Sequence, residues 1–209
     1  MEHEHDAEEE HEAGPRHELS HWAKRVYAMR DILIEKGILT DGDIRQQAEF
    51  TESKTPANGA RLVARAWTDP DFKERLIADP KGTCSEMGID AATLNEFVIL
   101  ENTDKVRHMV VCTLCSCYPR PILGRPPDWY KSFNYRKRAV NDPRGVMREF
   151  GLAVPDDVEV RVHDSTADMR YLVIPARPAG TENLEVEELE QLVTRDSMIG
   201  VSDALSIVP

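Results

Sequence analysis

Cys112-Thr113-Leu114-Cys115-Ser116-Cys117-Tyr118 places three thiols at i, i+3 and i+5 of one short loop. Such a loop can close on a single metal without donors from distant chain. A metal held by the Cys115 sulfur and the Ser116 amide nitrogen closes a six-membered ring. The Ser116 and Cys117 amides close a five-membered ring, and the Cys117 amide with its own sulfur closes another. Those four donors fit one plane. Cys112, about a helical turn earlier, reaches an axial position and leaves the opposite site open. Deprotonated amides demand a strongly Lewis-acidic ion, Co(III) or Fe(III), whereas zinc prefers four tetrahedral side-chain ligands. An inert trivalent ion with one open position activates water or a small ligand.

Other readings of the cysteines require more of the chain. Four cysteines in 209 residues, with no apolar leader at the start, point to a reducing cytoplasm rather than a disulfide framework. Structural zinc would need a fourth ligand, for which His108 or Cys84 stands nearest in kind. His108 reads as a strand residue beside the loop, and Cys84 as a lone helix-packing thiol.

Working outward, no apolar run approaches the roughly 20 residues of a membrane span, and the net charge of −12 argues against nucleic acid. Much of that charge is local. Residues 1–18 hold eight acids against Arg16 alone, together with His3, His5, His11 and His17. This stretch cannot bury enough apolar surface to fold alone and is expected to be a disordered tail. Leu19, Trp22, Val26, Met29 and Leu33, spaced 3, 4, 3 and 4, predict a helix with a coiled-coil-like seam, ended by Gly37. Thr40 with Asp43 starts a second short helix.

Helices are expected over 59–67 and 70–78, the second capped by Thr68 with Pro70 in its first turn. Strands are expected at Glu96–Leu100 and Val106–Val111, the second leading into the cysteine loop. Pro119, Pro121, Pro126, Pro127 and later Pro143 are expected to hold the following backbone extended and stiff. Asp142-Pro143 opens a helix that Gly151 closes. Alternating Val158, Val160 and Val162 and the run Met169–Ile174 read as further strands, and Leu184–Arg195 as one amphipathic helix.

The loop resembles the metal-binding loop of nitrile hydratase α subunits and of the related thiocyanate hydrolase γ subunit. The likeness continues through Pro121-Ile122-Leu123-Gly124-Arg125-Pro126-Pro127-Asp128-Trp129-Tyr130. It recurs at Ile34-Glu35-Lys36-Gly37, Ala66-Trp67-Thr68-Asp69-Pro70, Arg177-Pro178-Ala179-Gly180-Thr181 and Val193–Gly200, covering about residues 25–201. It implies an α+β fold, layered α/β/β/α, with an extended N-terminal helical arm. The expected organisation is a tail at 1–18, an arm at 19–57 contacting a partner subunit, and a globular catalytic domain at 58–209. Thr113 resembles the cobalt type; the iron type usually carries Ser there.

The resemblance also implies one Co(III) per chain, with Fe(III) as the lesser alternative. Its ligands would be Cys112, Cys115, Ser116 and Cys117, with Cys115 oxidised to a sulfinate and Cys117 to a sulfenate. A nitrile would be hydrated to its amide, with the Cys117 oxygen as nucleophile or base. The implied partners are a β-type subunit, as one chain or split into two, and a cobalt-delivery activator protein. Asp164, Ser165 and Arg170 match a family segment near the loop, and Arg170 is expected to anchor loop carbonyls or oxidised sulfurs. Two positions depart from the nitrile hydratase pattern: Arg120 and His163 stand where tryptophan is common. Arg120 also occurs in thiocyanate hydrolase γ, which keeps that enzyme as the alternative. A non-catalytic cobalt or structural zinc protein is the reading from another class.

Overall fold

In a computed structural model that describes residues 19–207, the chain begins with α1 (His21–Glu35) and α2 (Asp41–Glu52). Next come α3 (Pro56–Thr68), α4 (Pro70–Ala78), α5 (Pro80–Glu86), β1 (Glu96–Glu101) and β2 (Val106–Val111). After the cysteine loop come α6 (Arg120–Leu123), α7 (Asp128–Lys131), α8 (Phe133–Asn141) and α9 (Pro143–Glu149). The chain closes with β3 (Glu159–Asp164), β4 (Met169–Ile174), α10 (Val186–Leu192) and α11 (Arg195–Ile199). The tail read at residues 1–18 lies outside the described residues. The chain divides into two units, one up to Ala48 and one from Glu49 onward.

In the first unit the Ser20 hydroxyl caps α1 by accepting from the Ala23 amide at 3.1 Å. Gly37 ends that helix. Thr40 and Asp43 cap α2 reciprocally, through Asp43 N–H to Thr40 Oγ1 at 3.1 Å and Thr40 N–H to Asp43 Oδ2 at 2.8 Å. The expected stripe on α1 is present and uncovered, since Leu19, Trp22, Val26 and Met29 are all exposed.

In the second unit, Asp-Pro pairs start three helices. The carboxylates of Asp69, Asp79 and Asp142 accept from the amides of Phe72, Gly82 and Gly145 at 3.0, 3.1 and 2.9 Å. Proline follows each cap at a position whose N–H would have no partner. Asp69, not Thr68, therefore caps α4. The Thr68 hydroxyl instead donates back to Ala64 and Arg65 carbonyls and finishes α3.

Both sheets are two-stranded and parallel. β1 pairs with β4, Glu96 facing Met169 through to Glu101 facing Ile174. β2 pairs with β3, Val106 facing Glu159 through to Val111 facing Asp164. α4 and α5 pack on β1, β2 touches β4 between the sheets, and α8 and α9 cover β2 and β3. The layering is thus α/β/β/α. Covered sheets explain the apolar runs Met109–Val111 and Leu172–Ile174, all buried.

Two further expectations need correction. Of the prolines after the loop, Pro127 is extended at φ −67° and ψ 158°, but Pro119 and Pro121 are not. Pro119 and Pro121 start the helical turn α6, because proline's fixed φ suits a first turn as well as an extended strand. The helix expected over 184–195 breaks at Val193, which is extended. There Thr194 opens a new capping box with Ser197, their side-chain oxygens accepting each other's amides at 3.1 Å.

Gly200 ends α11 at φ +85°, and a Cβ there would run into the His108 carbonyl of β2. Gly200→Ala should therefore cost about 1–3 kcal/mol, measurable as a lower denaturation midpoint with an unchanged denaturant slope. An unaltered midpoint would show that the β2–α11 junction gives way freely.

Candidate metal centre

β2 is buried and ends at Val111, so Cys112 is delivered fully buried at the base of the loop. From there the chain rises to Leu114, which is 86% exposed, and returns through Cys115, Ser116 and the half-buried Cys117. The three sulfurs lie within 4.8 Å of one another. Cys115 Sγ is 3.3 Å from that of Cys112 and 3.1 Å from that of Cys117. The Cys115 amide donates to the Cys112 sulfur at 3.2 Å. Beside the other two thiols, the Cys117 and Ser116 amides also favour a Cys115 thiolate, which is lowered to about 7. Burial pushes Cys117 up to about 12, reinforced by Cys115 and opposed by the Arg170 guanidinium.

This donor set fits one ion: three convergent sulfurs, with two backbone amides directed at the central one. Neither proposed fourth zinc ligand joins it. Cys84 is sealed in α5, where burial pushes its thiol up to about 12. His108 sits in β2 with Nδ1 2.9 Å from His163 Nε2, and burial holds both rings below the ordinary histidine range. One neutral ring donates to the other's lone pair.

Asp164 ends β3 directly across from the loop. Its Oδ1 accepts from the Thr113 amide at 2.9 Å and its Oδ2 from the Thr113 hydroxyl at 2.5 Å. Ser165 is buried, its amide donating to the Val111 carbonyl at 2.7 Å. Arg170 lines the same cavity as Cys115, Ser116 and Cys117, a space of about 340 Å³. Its guanidinium donates to the carbonyls of Thr166, Ala167 and Met169 in its own turn, not to the cysteine loop. Arg120 is exposed at the mouth of that cavity, its amide donating to the Tyr118 carbonyl at 2.8 Å.

Sequence reasoning missed the support behind the loop. Fully buried Tyr130 donates its hydroxyl to the Cys117 carbonyl at 2.9 Å, and Tyr135 donates to Val110 at 2.6 Å. Tyr118 stacks edge-on against Tyr130 with centroids 5.1 Å apart. The usable signal was a cluster of tyrosines just after the loop, since a buried phenol must find an acceptor. Thr113 is also the residue Asp164 grips.

Asp164→Ala should leave the fold intact but free the loop, losing about 2–4 kcal/mol of hydrogen bonding to an ionised acceptor. The expected readout is faster metal loss to a chelator together with a lowered thermal midpoint; unchanged retention would show that the loop holds its shape without the carboxylate.

The sequence matches the family described as nitrile hydratase, alpha chain, over residues 20–202. It is 55% identical over 181 residues to the low-molecular weight cobalt-containing nitrile hydratase subunit alpha of Rhodococcus rhodochrous, covering 86% of this chain and 87% of that one. It is 41% identical over 196 residues to the thiocyanate hydrolase subunit gamma of Thiobacillus thioparus, covering 88% and 81%. Its fold matches a double mutant of the Fe-type nitrile hydratase of Comamonas testosteroni Ni1 at TM-score 0.81 and 39% identity, covering 89% and 93%. With its three-sulfur loop carried on that same fold, the chain belongs to the nitrile hydratase α-subunit family.

Proposed function

We propose that this chain is the metal-bearing catalytic subunit of a nitrile hydratase that adds water to a nitrile at a low-spin Co(III) centre. The observation that carries the reading is the convergence of Cys112, Cys115 and Cys117 within one loop. Thr113 and the cobalt-containing relatives favour cobalt over iron. Cys112, Cys115, Cys117 and the amides of Ser116 and Cys117 would hold the ion. When bound, it supplies Lewis acidity that makes a nitrile carbon electrophilic.

The chain's own groups do the rest. Cys115 and Cys117 face the cavity, where an external oxidant such as dioxygen would take them to sulfinate and sulfenate. Once oxidised, Cys117 would offer its sulfenate oxygen either to the nitrile carbon or to a proton of the attacking water, and that proton passing to the nitrogen would give the amide. Arg170, whose positive charge already acts on Cys117, offsets negative charge developing there. Asp164 and Tyr130 keep the loop from shifting. Ser165, under the loop beside Val111, supports it from below.

The exposed α1 stripe, with Trp22 at 71% exposure, and the bare Leu114 tip are the surfaces on which a β-type subunit would close. Such a subunit would complete the cavity, and an activator protein would deliver cobalt in the cytoplasm. No described helix is long and apolar enough to cross a membrane. The assembled complex should carry about one cobalt per chain with a sulfur-to-cobalt charge-transfer band, and peptide mass spectrometry should find added oxygen on Cys115 and Cys117 but not Cys112. Stoichiometric zinc without that band, or full nitrile turnover with three unmodified thiols, would refute the assignment.

Arg120 favours a second reading, thiocyanate as substrate, because a guanidinium at the cavity mouth attracts an anion. Arg120→Trp should then weaken kcat/KM for thiocyanate by about 1.5–3 kcal/mol, the scale of a charged hydrogen bond, while small neutral nitriles change little. Uniform kcat/KM across both substrates, before and after the change, would assign Arg120 to loop support alone.

A further inference from the structure

Behind Arg120 lies a second cavity of about 500 Å³ that shares this one side chain with the cysteine cavity. Its lining carries Lys54, Arg120, Arg125 and Lys131 against a single acid, Asp128. Asp128 is already held by Lys131 at 2.7 Å. Four cations meeting one acid in one hollow, on a chain whose net charge is −12, run against the background of the surface. The hollow also has a constructed wall. Gly124 stands at φ +69°, where a Cβ would lie 2.5 Å from the Lys54 carbonyl. Only glycine lets the segment carrying Arg125 close against the segment carrying Lys54. Lys54 is half-buried and its ammonium lies 3.9 Å from the Phe50 ring centroid, which limits its range of motion.

From this we infer that the basic cavity binds the carboxylate of a substrate whose nitrile reaches the cysteine cavity, so that the enzyme's preferred substrates are anionic cyano-acids. The inference rests on the nitrile-hydrating reading and names its substrate class. The size suits a small-molecule group, and the chemistry suits an oxyanion: guanidinium and ammonium donors around a concave space. A protein segment would need no continuity with the reaction cavity. A small substrate does need it, and Arg120 supplies it by lining both spaces.

The test uses the assembled complex with a chain-matched pair, an ω-cyano-carboxylate and its neutral methyl ester. The wild type should favour the carboxylate. Lys54→Gln with Arg125→Gln should raise KM for the carboxylate by about tenfold or more, the scale of losing one charge-assisted hydrogen bond, and leave kcat and the ester unchanged. Lys54→Arg with Arg125→Lys should keep the preference. Calorimetric titration of the same carboxylate into metal-free complex should show one site that the Gln pair removes. Equal KM for acid and ester in the wild type, or an unchanged acid preference in the Gln pair, would overturn the inference. Weakened subunit assembly with the preference intact would overturn it too, assigning the cavity to a protein partner. Failure of the underlying reading looks different: no nitrile is hydrated, yet the titration still distinguishes wild type from variant.

Discussion

The site depends on one carboxylate. Asp164 accepts both the amide and the hydroxyl of Thr113, and so joins the last residue of β3 to the second residue of the cysteine loop. The tyrosines just after the loop brace it from the core side, whereas this contact refers it to the sheet. The register of β2 against β3 places Val111 opposite Asp164. The pairing of two strands therefore becomes the position of three sulfurs. A one-residue slip would turn Asp164 to the other face of its strand and leave Thr113 ungripped.

The loop also has a gradient from buried to exposed that matches a division of labour. Cys112 is sealed and anchors the base, while Cys115 and Cys117 open onto the cavity. Only the two outer sulfurs are thereby open to the cavity. Behind them, tyrosine hydroxyls hold the carbonyls of Cys117 and Val110, so the backbone on either side of the thiols is pinned from the core side. Such support from packed elements keeps a site's geometry fixed.

Much of this was legible from residue types. The thiol spacing located the centre, and Asp142-Pro143 located a helix start. The strand limits at Val106–Val111 and Met169–Ile174 came directly from apolar runs. The errors share a cause: local signals that two neighbours could carry. Thr68 and Asp69 are both good caps, and only the carboxylate faces the free amides. Proline after the loop could mean extended chain or a first helical turn. The break at Val193 was hidden because apolar periodicity continues across it. Which strands pair was not legible at all, since alternation reports a buried face and not the identity of a neighbour. The Tyr130 and Asp164 contacts depend on that pairing and on the fold around it.

Parallel pairing has a consequence for the order of events during synthesis. Thr113 and Asp164 are separated by 51 residues, and a ribosome adding about 5–20 residues each second needs roughly 3–10 s to make the second after the first. Throughout that interval the thiols exist without the carboxylate that fixes their loop. Metal arriving then meets three loose sulfurs, the situation in which a readily exchanging ion such as zinc competes best. Metal arriving later meets a formed cradle. The long return of β3 thus acts as a clock on loading, favouring delivery to the finished chain over capture by the nascent one.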